Sequence, residues 1–360
     1  MIKNGYKNVK FYLNFYTFCN ICLNSGGYDG IINPRNVRKG GNFMYPLLLK
    51  ATLKDCLWGG ERLKNEFGFN TELTNIGEAN MLSGKKDCGS IVRNGSLAGR
   101  TLNEALESWG KAALGKNAAQ FENLPILIKL IDAKDRLSVQ VSPDDSYAAK
   151  NGGQCGNVKM WYVIDCQENA QIIYGFKQNI SKGEFLERIN NNTLSPVCNY
   201  VPVKKGDVFF IDTGTVHAVG KGVLLAQISQ GADLSYRISD YGRLGPDKKP
   251  RKLHIKQAIE VTNTVKTVVP KNNCDVTLYP FGTVRELARN KHFKSELISL
   301  NGNVGIYDND SFISLLVLDG RASLSYTGGM MSLKKGDSLF LPAGTKIRLS
   351  GTAQIIHTHI

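Results

Sequence analysis

Residues 124–131 (LPILIKLI) form an almost continuous apolar run that stops at Asp132. A run of that length bounded by a turn former predicts a buried strand. Shorter runs rich in β-branched and aromatic residues predict strands at 137–141, 159–165, 170–175, 207–211 and 223–230, with Pro143, Gly152-Gly153 and Gly206 between them. Upstream, residues 45–53 read as a strand, Trp58-Gly59-Gly60 as a turn, and the residues from Glu61 as a short helix. Thr101-Leu102-Asn103-Glu104 has the spacing of a capping box, and the helical pattern it opens runs to Gly115. Residues 250–265 begin with proline and place Leu253, Ala258, Ile259 and Val261 near helical spacing, as expected of a helix joining two β units.

One segment occurs twice. Lys204-Lys205-Gly206-Asp207-Val208-Phe209-Phe210-Ile211 leads into Asp212-Thr213-Gly214-Thr215-Val216-His217. Residues 334–347 repeat the order without a gap: a basic pair, a Gly-Asp turn, a β run and a Gly-Thr turn. The unit resembles the second hairpin of a cupin, a small antiparallel jelly-roll barrel. The expected fold is therefore mainly β, two cupin (jelly-roll) barrels with a helical segment inserted in the N-terminal half. The expected domains are an N-terminal extension at 1–43, a catalytic-type cupin at 44–249, a connecting helix at 250–270 and a structural cupin at 271–360. The two copies differ at their ends, with His217 in the first and Ile347 in the second. Isoleucine offers no lone pair to a metal, so the chemistry is expected in the first barrel.

The chain carries a net charge of +14, which in other contexts marks a nucleic-acid surface. Here the lysines come in scattered pairs beside turns, such as Lys85-Lys86. The densest run, Lys248-Lys249-Pro250-Arg251-Lys252, has no interleaved aromatic residues. A solvated loop is the preferred reading, no nucleic-acid partner is expected, and a mildly positive field suits a phosphorylated substrate. The eight cysteines are irregularly spaced and some lie in apparent strands (Cys166, Cys198), the pattern of reduced thiols in a cytoplasmic protein. Cys19 and Cys22 form a single C-x-x-C pair with no second pair behind it, a weak metal or redox signal. No apolar stretch is long enough to span a membrane.

Ordered motifs carry a more specific signal. They are Leu57-Trp58-Gly59-Gly60, Asn94-Gly95-x-x-Ala98-Gly99-x-Thr101-Leu102, Leu137-Ser138-Val139-Gln140-Val141, Met160-Trp161-Tyr162-Val163-Ile164-Asp165-Cys166, Gly214-Thr215-Val216-His217-Ala218, Ser235-Tyr236-Arg237 and Asp240-Tyr241-Gly242-Arg243. Over residues 44–360 the chain resembles class I mannose-6-phosphate isomerase in its short bacterial two-cupin form. The resemblance implies interconversion of mannose 6-phosphate and fructose 6-phosphate through an enediol, with a zinc ion orienting the sugar's C1 and C2 oxygens. It places Gln140 and His217 at retained ligand positions and Arg237 at the active-site arginine. The family's Gln-x-His-Pro-Asp reads Gln140-Val141-Ser142-Pro143-Asp144 here, so Ser142 replaces a ligand histidine. The family's Gly-Lys-x-Glu reads Gly156-Asn157-Val158-Lys159, so Asn157 replaces the lysine and Lys159 the ligand glutamate. The glutamate ten residues before the active-site arginine is Gln227, and a Gly-Glu-Ser-Trp-Glu motif reads Gly77-Glu78-Ala79-Asn80-Met81.

A catalytic zinc needs about three lone-pair ligands. A neutral hydroxyl replaces imidazole poorly, and an ammonium at a ligand position repels the ion. At ~4 Å and an effective dielectric of ~20, unit charges interact by about 4 kcal/mol, and a divalent ion roughly doubles this. Gln227 cannot exchange a proton as a carboxylate does. Zinc is therefore expected to be weakly bound or absent, and turnover strongly reduced or lost. Lys159 is open to two readings, drift in an abandoned site or a fixed charge that holds a sugar phosphate in the metal's place. Arg237 either binds the sugar's oxygens or makes a structural ion pair. His217, alone, reads more readily as an inherited hydrogen-bonded residue than as a working ligand. Asp144 and Asp145 are expected to fix a turn. His357 and His359 form a His-x-His pair read as an exposed strand end rather than a metal pair. Three functions compete: an active isomerase, a silent descendant that binds a sugar phosphate or a partner protein, and a nucleic-acid binder. The substitutions favour the second.

Lys39-Gly40-Gly41-Asn42-Phe43-Met44 can be encoded by AAA GGA GGT AAT TTT ATG, a purine-rich ribosome-binding sequence before a start codon. Translation is expected to begin at Met44, with residues 1–43 an artefact of gene calling. N-terminal sequencing of the natural protein checks this, and peptides from residues 1–38 in the cell contradict it.

Overall fold

The strand Ile126–Ala133 explains its own apolar sequence, because both of its faces are covered. It lies in a six-stranded antiparallel sheet ordered Val208–Ile211, Lys159–Cys166, Val223–Gln230, Ile126–Ala133, Thr52–Gly60, Ile76–Leu82. On one face Ile128 and Leu130 pack with Met160, Tyr162, Leu224 and Ala226. On the other, Ile131 and Ala133 pack with Trp161, Val163 and Leu225. Burial on both faces selects apolar side chains at nearly every position instead of at alternate ones.

A five-stranded antiparallel sheet faces it, ordered Cys198–Pro202, Gln171–Phe176, His217–Val219, Val139–Val141, Tyr236–Ser239. Ile172, Tyr174 and Val219 close the core between the sheets. The outer face of this second sheet is covered by the helices Lys182–Asn190 and Ile255–Val261, through Phe185, Ile189 and Ala258. Two antiparallel sheets closed over an apolar core make a jelly roll of the cupin type. This computed structural model describes residues 9–12 (backbone), 43–153, 155–231, 233–245, 247–269 and 275–360. The Cys19–Cys22 pair and most of the expected extension at 1–43 lie outside the described residues.

The second roll is built on a ten-stranded sheet in which Lys294–Asp308, Ile313–Tyr326 and Ile347–His359 pair along nearly their whole lengths. Gly302 and Gly351 are partners in that register, each with φ 142°. A Cβ on Gly351 would lie 2.5 Å from the Arg321 carbonyl oxygen, so glycine lets the paired strands bend together. The N-terminal strand Leu47–Lys50 joins this sheet beside Ser338–Leu341. The sequence repeat survives in three dimensions. Gly206 and Gly336 both have φ 88°, and Asp207 and Asp337 each accept the backbone N–H of the lysine three residues earlier at 2.9 Å.

Four local expectations change. Residues 45–53 are not one strand, since Leu47–Lys50 pairs in the ten-stranded sheet and Thr52–Gly60 in the six-stranded one. The connecting helix expected over 250–270 spans only Ile255–Val261, which leaves Leu253 outside it. Trp58-Gly59-Gly60 ends the strand Thr52–Gly60 and is not a turn. Its glycines permit close packing, since a Cβ on Gly59 would meet the Asn75 carbonyl oxygen at 2.2 Å. The capping box at Thr101 forms, with Glu104 accepting the Thr101 N–H at 2.7 Å. However, the helix Leu102–Trp109 stops at Gly110, whose φ is 71°, so Gly115 caps only a later 3-10 turn. The sequence pattern does not foretell the strands Ile76–Leu82 and Tyr236–Ser239 or the helix Lys182–Asn190.

Phe340 and Phe312 stack with ring centroids 5.3 Å apart, in a core that the second roll shares with the outer face of the six-stranded sheet. Phe340→Ala is expected to lower unfolding free energy by about 3–5 kcal/mol. Urea denaturation reads this, and a loss below ~1 kcal/mol contradicts the shared core.

Candidate functional site

Strand alternation carries polar side chains to one end of the first roll's interior. Lys159 shares a face with Trp161 and Val163, Gln227 with Leu225 and Val223, and Lys129 with Ile131 and Ala133. Val139, Val141, Tyr236 and Ile238 pack outwards, which turns Gln140 and Arg237 inwards. The result is a cavity of about 570 Å³ walled by these groups together with Arg251, Asp233 and Glu78.

Lys159 is 2% exposed and His217 fully buried. The Lys159 ammonium donates to His217 Nε2 at 3.0 Å and to Ser235 Oγ at 2.9 Å. Ser235 Oγ lies 3.2 Å from Ser142 Oγ. On its other side His217 Nδ1 is 2.8 Å from the Thr215 carbonyl oxygen. A carbonyl can only accept, so Nδ1 carries the proton and Nε2 presents its lone pair to the ammonium. Burial, and then the Lys159 charge, hold His217 well below its ordinary pKa of 6.5. The imidazole is therefore neutral. Burial pulls Lys159 down to about 8, with Asp233 resisting and Lys129 adding to the effect.

The remaining predicted residues take different roles around this pair. Gln140 lies between His217 and Arg237 in strand register. Gln227 Oε1 accepts the Trp161 Nε1–H at 2.9 Å, and the Trp161 ring meets the His217 ring edge-on at 5.6 Å. Arg237 Nη1 donates to the Lys252 carbonyl at 2.8 Å. The alternative expected for Arg237, a structural ion pair, is not found among the described residues. The nearby carboxylate, Asp240, is held instead by Arg243 and Arg251, each at 2.5 Å. Burial and then the Arg251 charge lower the Arg237 pKa. Asp144 accepts the Tyr147 N–H at 2.7 Å and caps the helix Asp145–Lys150, while Asp145 accepts from Gly156 at 2.8 Å. Both fix the loop.

Lys129, Glu78 and Asp233 are cavity groups that the motif reading passes over. Lys129 Nζ sits 2.9 Å from Glu78 and 2.6 Å from Asp233. Burial pushes its pKa down, and the two carboxylates push it up by more. Its signal in the sequence is a single charge inside the run LPILIKLI. His357 and His359 also depart from expectation. They do not form an exposed strand end, because Ile347–His359 runs between Lys294–Asp308 and Ile313–Tyr326 and both histidines are buried.

Residues 47–161 match the family model described as phosphomannose isomerase type I, catalytic domain, and residues 283–360 match mannose-6-phosphate isomerase, cupin domain. Mannose-6-phosphate isomerase of Streptococcus mutans is 33% identical over 316 residues, spanning 87% of this chain and 98% of that protein. Mannose-6-phosphate isomerase ManA of Bacillus subtilis is 32% identical over 317 residues, spanning 88% and 99%. The chain belongs to the mannose-6-phosphate isomerase family. The crystal structure of mannose 6-phosphate isomerase from Bacillus subtilis superposes with a TM-score of 0.82 at 32% identity, covering 88% of this chain and 99% of that one. A variant of phosphomannose isomerase from Salmonella typhimurium shares the fold at 17% identity and a TM-score of 0.70, over 87% of this chain and 99% of that one. The mainly β cupin architecture is thus the family's. No helix among the described residues is long and apolar enough to cross a membrane.

The depressed lysine has a thermodynamic consequence. Its pKa falls from 10.5 to about 8 on folding. Between those values the folded state binds fewer protons than the unfolded state, so stability rises with pH there. The burial penalty is fully present below pH 8 and fades towards ~10.5. Lys159→Met is expected to raise stability by about 1–3 kcal/mol at pH 7, with the advantage shrinking as pH rises above 8. Denaturant titrations across that range check it, and an advantage that stays constant or grows contradicts it.

Proposed function

We propose that this family member binds a sugar phosphate in the first-roll cavity, holds no zinc there, and has strongly reduced or no isomerase turnover. The relatives are named for the isomerisation of mannose 6-phosphate. The reading rests on one observation, the 3.0 Å hydrogen bond from Lys159 to His217 Nε2. The lone pair that the imidazole would give a metal already accepts an ammonium proton, and that ammonium's charge repels any divalent ion drawn to the same place. The remaining donors are a serine hydroxyl engaged with Ser235 and the amide of Gln140. One occupied imidazole and two neutral oxygens do not fit catalytic zinc, which takes about three strong ligands and an open position.

What these residues support is anion binding. Lys159, Arg237 and Arg251 face one cavity, while Lys129 is neutralised by Glu78 and Asp233. An arginine fork and a buried ammonium suit a phosphate or the oxygens of a sugar. Proton transfer is the missing half. Gln227 carries no ionisable proton, and its oxygen is committed to Trp161. The same reading assigns the cavity to a cupin at 44–249, the connector to 250–270, the second cupin to 271–360, and the protein to the cytoplasm, where its free thiols Cys56 and Cys198 would stay reduced.

Ser142→His, Lys159→Glu and Gln227→Glu introduced together are expected to raise zinc-dependent isomerisation of mannose 6-phosphate by about 100-fold or more. The readout is a coupled assay, with sugar-phosphate binding by the unmodified chain followed by calorimetry. Efficient turnover by the unmodified chain that zinc supports and His217→Ala abolishes overturns the proposal.

A further inference from the structure

The donors that the first roll lacks are present in the second. We propose that Glu296, His357 and His359 form a binding site for a first-row divalent transition-metal ion inside the second cupin roll, independent of the first-roll cavity.

Strand register places the three together. Ile298 pairs with Ile355, Glu296 with His357, and Lys294 with His359; on the other side Leu315 pairs with His357 and Ile313 with His359. Ile298, Ile355, Leu315 and Ile313 belong to the interior core of this roll. By the two-residue period of a strand, Glu296, His357 and His359 point into the same interior. One donor atom from each lies within 4.8 Å of the others. Glu296 is 5% exposed, His357 0% and His359 8%.

Glu296 accepts from His357 at 3.1 Å and pairs with Lys294, but packing does not account for His359 and the neighbouring Asp308. Neither ring nitrogen of His359 has a hydrogen-bond partner among the described residues. Beside it, Asp308 Oδ1 accepts the Asp310 and Ser311 N–H groups. Asp308 Oδ2 makes no hydrogen bond among the described residues and lies 3.4 Å from His359 Nδ1. Buried polar atoms left in this state carry their full desolvation penalty, and a metal ion would relieve it.

The charge differs from that of the first cavity. Among the described residues, Lys159 is buried without a carboxylate partner of its own. Lys294 instead pairs with Glu296 and lies 4.0 Å from Glu286, at the rim of the site. Glu286 is itself paired with Arg289 at 2.6 Å; with Asp308 added, the three carboxylates still outnumber the two cations. Two imidazoles and one carboxylate with open positions suit zinc, cobalt or ferrous ions better than magnesium or calcium. A tetrahedral ion sets its donors about 3.4 Å apart, and the three donor atoms lie within 4.8 Å of one another before any ion draws them in. Ligation through His359 Nε2 would leave Nδ1–H facing Asp308 Oδ2, the outer carboxylate that orients a ligand histidine.

Cobalt(II) titration of the metal-stripped full-length chain tests this. The expected result is one ion per chain with visible d–d absorption, displaced by zinc, and unchanged in His217→Ala. His359→Asn and Glu296→Gln are each expected to weaken binding at least ~10-fold, and Asp308→Asn by about 10-fold. If His359→Asn does not fold, the Glu296 and Asp308 variants decide. Absence of a bound ion overturns the proposal, as does binding that His217→Ala removes or that Glu296→Gln and Asp308→Asn leave untouched. The first-roll reading stands or falls separately, because its own test turns on isomerase activity and on His217.

Discussion

A buried ammonium donating to a neutral imidazole sets the charge and the donor inventory of the first cavity. Lys159 gives up its hydration to sit there, and only the His217 lone pair and the Ser235 hydroxyl replace it. The geometry is imposed from both sides. Lys159 is fixed by pairing with Ile211 and Ser229 on its two neighbouring strands. His217 is held by the Thr215 carbonyl and by its strand pairing with Gln140 and Tyr174. The backbone of Ser142 is tied to the same hairpin, accepting the Gly214 N–H at 2.9 Å. The sheet thus fixes both backbones, and the Thr215 carbonyl and the Ser235 hydroxyl hold the two side chains against each other.

The two rolls therefore use one hairpin for different ends. In the first it sets His217 behind Lys159 in the wall of a polar cavity; in the second the equivalent place is Ile347, which is 1% exposed and sits in the apolar core. The second roll's ionisable groups arrive by another route, at the close of its last strand. On this account the chain keeps the family's binding architecture in one roll, and collects metal-type donors in the other.

Much of the fold is legible in the sequence because local period and turn chemistry report it. Doubly buried strands such as Ile126–Ala133 announce themselves as apolar runs, and the repeated Lys-Lys-Gly-Asp turn marks both hairpins. What is not legible depends on partners far away in the chain. That Trp58-Gly59-Gly60 continues a strand follows from the approach of the Asn75 backbone, which no local rule contains. That His357 and His359 are buried follows from their strand lying between two others; read alone, a terminal His-x-His looks like a solvated edge. At the site, the residue types that matter were readable by position. The pairing of Lys159 with His217 was not, since it crosses two sheets. Lys129 is hidden for the opposite reason: its run reports hydrophobicity, and the charge within it becomes intelligible only with Glu78 and Asp233 beside it.

The most direct measurement is the state of the two His217 ring nitrogens. In histidine-labelled protein, two-bond proton–nitrogen correlation spectra separate a protonated Nδ1 from an unprotonated Nε2. The account predicts that pattern for His217, with shifts that do not move when one equivalent of zinc is added. A zinc-dependent shift of His217 Nε2 that a chelator reverses would contradict it.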